Sequence, residues 1–546
     1  MIHKRKMPPP IQLAFVAALT WAYAQMAWSI TKEDADLAIV DELHTPQAQH
    51  VDQFELLTLV QGGLTKEAFN LAFYGGKSLT TTVFNALDGI GANVGDGSRF
   101  SRVPRADLDG PGQWKSHIPA RVTGPNGQAC NQCHSQPADN GAGDAVGAHH
   151  RDHLRNGVLG EIIRRDVTHL FGTGPMQRLV EEMSEELLSI RDTAADKACQ
   201  TGNSITAELN TKGVDYGSII AIPNGDPCEA VFDTSGVVGV NKNLIILPFG
   251  WKGTVPTIRA FSRGAAHNNL GMQAIEITGE DFDGDFDGIV NELTIGDLTA
   301  IAINNAAQPR PTTKLELAKL GLIDLEMDEA QSIQRGEQVF SNLKVGCAHC
   351  HIPELVLESP VFSEPSQSAL YRDAMFPYGP QDPVDPITVG VDPIYPVTVD
   401  LTRDQPDNQL VDDDGDLLYH LGALKTDKKG RAIVELYGDM KRHDMGQGLA
   451  ETINEGGVPA SIFMTENLWG VGSTAPYLHD GRATTLTEAI LEHGGEAEEA
   501  KNAFLSLSLR RQEDLIAFLE NLILFKADGP IEINNQQKKH NGDKNK

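Results

Sequence analysis

The sequence predicts a mainly α chain of two domains, with long loops between its helices and one small β element. Three observations predict it. Apolar stripes at helical spacing fall at 51–60, 175–191, 328–343 and 510–524. Stretches rich in Gly, Pro and Asp separate them. Runs of β-branched residues gather within 201–250, at 218–222 and 244–247, and mark the small β element. At about 100–200 residues per domain, 546 residues exceed one simple domain.

Each element has its own signal. Met176, Leu179, Val180, Met183, Leu187, Leu188 and Ile190 form one stripe with acids between them. In the second half, Ile333, Gly336, Val339 and Phe340 share a helix side, and Leu515, Ile516, Phe518, Leu519, Leu522 and Ile523 form a broad apolar face. Gly336 lets these two helices cross closely. Residues 304–313, with Pro and Ala, read as a linker, and 359–406, rich in Pro and Asp with little period, as a long surface excursion.

The N-terminus fixes the expected compartment. Lys4, Arg5 and Lys6 precede an apolar run from Ile11 to about Ala22, and Ala22-Tyr23-Ala24 offers a small-x-small cleavage site. The run is shorter than the roughly 20 residues that span a bilayer. The plan is therefore a signal peptide at 1–24, an N-terminal domain at 25–327, a C-terminal domain at 328–530 and a polar, frayed tail at 531–546. The mature protein is expected to be periplasmic, exported and soluble, and not an integral membrane protein. A formal charge of -30 argues against nucleic acid as a partner.

Six cysteines divide four and two. Cys130-Asn131-Gln132-Cys133-His134 and Cys347-Ala348-His349-Cys350-His351 each read Cys-x-x-Cys-His. Two thiols at this spacing can each form a thioether with one haem vinyl group, and the following His presents its imidazole to the iron. The copies lie too far apart for one zinc knuckle, and no βαβ pattern supports a thioredoxin-like motif. Two covalent haems c are expected, held by Cys130, Cys133 and His134 and by Cys347, Cys350 and His351. A helix before the second motif and another at the domain end is the arrangement of a cytochrome c-like domain. The fold class is thus mainly α, with two cytochrome c-like haem domains. In an oxidising compartment, Cys199 and Cys228 are expected to form a disulfide.

A second metal signal lies at Asp283, Asp285, Asp287 and Asn291, an alternation of carboxylates followed by Gly288. It matches the early positions of a calcium loop, but Thr294 replaces the terminal Glu of an EF-hand. A looser Ca2+ loop is expected.

The two haem motifs, Arg121–Pro125, His443-Asp444-Met445-Gly446 and Pro476-Tyr477-Leu478-His479-Asp480-Gly481-Arg482 with Thr485–Ala489 together resemble the di-haem oxidoreductase family, also labelled thiol oxidoreductases. That family is related to bacterial di-haem cytochrome c peroxidases and to the enzyme that matures tryptophan tryptophylquinone. The resemblance implies an enzyme that reduces hydrogen peroxide at one haem, the first, with electrons relayed through the other from a small cytochrome c or cupredoxin. The alternatives are a non-enzymatic di-haem electron carrier and a di-haem enzyme that oxidises a protein or organic substrate. Relatives place a distal Met near Met445, the expected sixth ligand of the second haem, with Met440 and Met464 as alternatives. His149, His150, His153, His169 and His267 stay open for the first haem. Peroxide cleavage needs a proton-transfer group, and by analogy with relatives Glu181 and Glu182 are the catalytic candidates. Arg121 and His117 are candidates for the haem edge.

Overall fold

The computed structural model describes residues 45–95, 97–372, 390–411 and 417–526. The expected signal peptide and tail lie outside the described residues. No helix among the described residues is long and apolar enough to cross a membrane.

Helices carry more of the described chain than strands, and the sheets have two or three strands each. Helices α1 (Gln53–Gln61) and α2 (Thr65–Thr81) open the described chain. Helix α3 (Thr173–Thr201) starts close to its expected beginning at 175 and runs well past its expected end at 191. It stops at Gly202, which adopts the left-handed conformation and returns its N–H to Ala198 O. The face carrying Leu179, Val180, Met183 and Leu187 is fully buried, as the stripe predicts. An antiparallel sheet of Ile205–Thr211, Val214–Asn224 and Glu229–Asp233 packs on α3. The Cys199–Cys228 disulfide ties the last turn of α3 to that sheet.

Helix α4 (Ile295–Ala306) is buried along its whole length. It crosses α2 so closely that a Cβ on Gly76 would lie 2.1 Å from Ala300 O. Helices α5 (Met327–Phe340), α6 (Leu486–Glu492) and α7 (Leu509–Asn521) build the surroundings of the second motif. Thr485 and Glu488 form a capping box that starts α6.

Three segments differ from the sequence reading. Residues 244–247 form no strand: Leu244 sits at φ 64°, and Ile246 N–H donates to Ser184 Oγ at 3.0 Å. Its polar groups are satisfied by side chains in place of a ladder. Residues 304–310 are no linker; α4 continues into them, all are buried, and Arg310 Nε donates to Ala423 O at 2.8 Å. The described part of 359–406 is no surface excursion. Val361–Glu364 pairs with Val397–Asp400, and Phe362, Tyr371, Val397 and Val399 are buried in the same core as α3. The Tyr371 hydroxyl donates to Ile246 O at 2.7 Å. Its polar sequence conceals a strap that belongs to the N-terminal core.

Two main cores result. The larger joins α2, α3 and α4 with residues from 355 to 440. The smaller joins α5, α6 and α7 around Phe340 and Phe518, whose ring centroids lie 5.2 Å apart. There the helices meet at Gly336, where a Cβ would stand 1.9 Å from Asp514 O. Arg335 and Ser332 bond the Asp514 carboxylate at 2.7 and 2.6 Å and lock the crossing. Gly336→Ala is expected to cost about 1–3 kcal/mol through overpacking. A urea titration reads this as a lower midpoint, and an unchanged midpoint contradicts the close crossing.

Candidate functional site

Each Cys-x-x-Cys-His segment folds as one short 3-10 turn, at Cys130–Gln132 and Cys347–His349. In both turns the His N–H reaches back to the first Cys carbonyl, at 3.1 and 3.0 Å. That curl brings both sulfurs and the imidazole onto one cavity. The first cavity is about 250 Å3 and is lined by Cys130, Cys133 and His134; the second is about 360 Å3 and is lined by Cys347, Cys350 and His351. Apolar side chains dominate both, including Phe84 and Leu270 in the first and Phe340 and Leu515 in the second.

The two histidines are aimed in the same way. His134 Nδ1 lies 3.1 Å from Gly141 O, and His351 Nδ1 lies 3.1 Å from Tyr437 O. A carbonyl on Nδ1 fixes the tautomer and leaves the Nε2 lone pair free to bind a metal. Tyr437 is itself held by its ring, which packs edge-on against Phe340 and Phe518 at 5.7 and 5.8 Å. Burial holds His134 below its ordinary value. Burial and the charge of His493 bring His351 to about 4. Both imidazoles are neutral at pH 7, the form that binds a metal. Burial pushes the Cys130 and Cys347 thiols up to about 11, so neither is a reactive thiolate at neutral pH. All four motif cysteines are free of disulfides. The residues present thus fit a haem at each cavity: paired unoxidised thiols, an aimed neutral imidazole and an apolar slot.

The cavities share a wall made of residues 166–169, residues 464–467 and Trp251. Trp251 Nε1 donates to Asp166 O at 3.0 Å, and Trp251 O accepts from Met464 N at 3.0 Å. His479 stacks on Phe463 with centroids 4.4 Å apart, and Lys252 Nζ sits 3.5 Å from the centroid of the Phe463 ring.

A buried ion network fastens the first cavity to the second half of the chain. Arg165, from the hairpin of His149–Arg151 and Ile163–Arg165, bonds both Glu451 and Glu455. His153 reaches Glu455 at 2.9 Å, Arg151 reaches it at 3.8 Å, and Lys252 reaches Glu451 at 3.2 Å. Burial alone would raise the Glu455 carboxyl, but His153, Arg151 and Arg165 hold it far below its ordinary 4.5.

Met445 lines the second cavity, as does His493, which the sequence reading missed. His493 Nδ1 lies 2.7 Å from Ala489 O, so its Nε2 is free in the same manner as that of His351. The available signal was its place just past the block ending at Ala489. Of the open histidines, His149 and His169 line the first cavity, while His150, His153 and His267 do not. His169 Nε2 is committed to Trp469 O at 2.7 Å.

Glu181 and Glu182 line neither cavity. Glu181 is buried against Gln177, Arg178 and Ser366, and Glu182 holds Lys212 at 2.7 Å and Ser359 N at 2.8 Å. Their partners make them fasteners between α3 and the strap. Arg121 and His117 also stand off the cavities: Arg121 is buried with Asp285 at 2.7 Å and His117 Nδ1 at 3.2 Å. Asp283, Asp285 and Asp287 do converge, with ligand atoms within 4.8 Å of one another. Asn291 does not join them; it pairs with Asp281 at 2.8 Å. Arg121 and Arg99 already partner Asp285 and Asp287.

Residues 413–522 match the family described as "Di-haem oxidoreductase, putative peroxidase". The resemblance carried by the motifs is thus matched by the family model over this segment, which includes the 443–446 and 476–489 blocks. No curated protein matches the chain. Among solved structures, a Kuenenia stuttgartiensis hydrazine synthase is 17% identical over 44% of this chain and 59% of its own, with a TM-score of 0.21. A MauG-like protein associated with microbial copper homeostasis is 16% identical over 54% of this chain and 74% of its own, with a TM-score of 0.24.

Replacing Arg165 by Ala leaves Glu451 and Glu455 buried without their main cation and is expected to cost about 3–5 kcal/mol. The Glu455 contribution is present above its unfolded pKa of 4.5 and is lost as pH falls through its lower folded value. Denaturant midpoints of the wild type and Arg165→Ala should converge as pH drops below 4.5. A constant gap across that window contradicts the assignment.

Proposed function

We propose that the protein is an exported, periplasmic di-haem c oxidoreductase of the peroxidase type. The observation that carries the proposal is the pairing of two Cys-x-x-Cys-His cavities across one wall. Cys130 and Cys133 would hold one haem by thioethers with His134 as its axial ligand; Cys347, Cys350 and His351 would hold the other. When bound, the haems supply one-electron redox chemistry and an axial position at which peroxide is reduced. The disulfide and the N-terminal pattern support export to an oxidising compartment.

The chain's own part is positional. Gly141 and Tyr437 aim the two imidazoles. Trp251 bridges the wall and offers an aromatic route for electrons from the second cavity to the first. Met445 and His493 both face the second cavity as sixth-ligand donors, and the fixed Nδ1 favours His493. Calcium, in this proposal, is held by Asp283, Asp285 and Asp287 without Asn291.

The test is peroxide-dependent oxidation of a reduced small cytochrome c or cupredoxin, followed together with the haem spin state. Turnover with one haem penta-coordinate after half reduction is expected. Two permanently low-spin haems without turnover would mark an electron carrier instead. Trp251→Ala is expected to slow electron transfer between the haems roughly tenfold, a barrier change of about 1.4 kcal/mol, while leaving both haems attached. An unchanged rate removes Trp251 from the route.

A further inference from the structure

Asp166 is a buried carboxyl that neither the fold nor the proposed function uses. It lies on the wall common to both cavities. Its main chain is held from two sides: its N–H donates to His479 O at 2.8 Å, and its carbonyl accepts the Trp251 indole at 3.0 Å. The residue is only 7% exposed, and its Oδ1 has no hydrogen-bond partner. A carboxylate with one oxygen left bare in such a place binds a proton more tightly than one in water.

The charged groups around it sharpen this. Arg164, its neighbour along the chain, and a hydrogen bond from the Val167 N–H favour ionisation. Asp480, from the 476–482 loop, and Glu466, from the wall, oppose it. Lys252, beside Trp251, turns to Glu451, and the neighbouring His479 is neutral because burial brings it to about 4. Burial, the largest influence, with the two acids, lifts Asp166 to about 7. Any electron added in either cavity is a further negative charge beside this group, and it raises proton affinity again.

We propose that Asp166 is the proton acceptor coupled to electron transfer across the wall between the two cavities. When an electron from the donor protein enters, the carboxylate takes one proton from hydronium, giving a carboxylic acid and water. One O–H bond forms and one breaks, and the proton leaves again when the electron does. Peroxide reduction to two waters consumes two electrons and two protons, so a group that loads one proton per electron matches its stoichiometry. The inference rests on the di-haem reading, not on peroxide being the substrate.

The haem-loaded protein is reduced without oxygen in weak buffer containing a pH indicator. Uptake of about one proton per chain that vanishes in Asp166→Asn and persists in Asp166→Glu is expected. It should be largest just above pH 7 and fade well below it, where Asp166 is protonated in both redox states. Infrared difference spectra of the wild type should show a protonated-carboxyl band appearing on reduction, which decides the matter even where a variant fails to fold. Uptake unchanged in Asp166→Asn, loss in Glu466→Gln alone, or no carboxyl band overturns the proposal. A protein with no reducible haem would be seen before any proton is counted and would sink the di-haem reading too. Uptake without peroxide turnover leaves Asp166 standing and removes only the peroxide substrate.

Discussion

Arg165 is the residue on which the arrangement depends. It leaves the hairpin beside the first motif and enters a buried site between Glu451 and Glu455, carried by the loop before the Ile462–Met464 strand. Three cations, Arg151, Arg165 and Lys252, meet two carboxylates there. Charges removed from water this far are stable only when each finds its partner. The network therefore fixes which part of the second half stands against the first cavity. The rest of the shared wall follows from it: Lys252 carries Trp251 with it, and the 451–460 loop leads directly into 464–467.

The wall then decides what the two motifs can do together. Each motif is local and would curl the same way in isolation, since its hydrogen bonds lie within five residues. What aims each imidazole is not local. His134 depends on Gly141, in the loop after its motif, and His351 depends on Tyr437, which is placed by Phe340 and Phe518 from two different helices. The crossing at Gly336 thus reaches the second cavity through Phe340 and Tyr437. Packing, imidazole orientation and the wall between the cavities form one mechanical chain.

Much of this was legible in the sequence, and the reasons differ by residue. The cysteine motifs were legible because their chemistry needs fixed spacing. The α3 stripe and Gly336 were legible because helices bury one face and cross where a side chain is missing. The Asp283–Asp287 convergence followed from alternation, although Asn291 turned to Asp281. The wall was not legible: Asp166, Trp251 and Glu466 are distant in sequence and show no period. His493 was hidden because its one signal is its place just past the block ending at Ala489, and a single histidine there carries no pattern of its own. Glu181 and Glu182 look like any acidic helix face, and only the strap that packs on them shows where their charges go. That strap misled for the same reason, since its few apolar residues are spread among Pro and Asp.

The central claim is that both motifs carry covalent haem and face each other across the wall. The intact mass of the purified mature protein tests it most directly, read with the haem stain of the denatured chain. A mass increase of two haems is expected for the wild type. One haem is expected when Cys130 and Cys133 are replaced by Ser, and one when Cys347 and Cys350 are replaced. A chain at its unmodified mass, or one that retains two haems after either replacement, would contradict it.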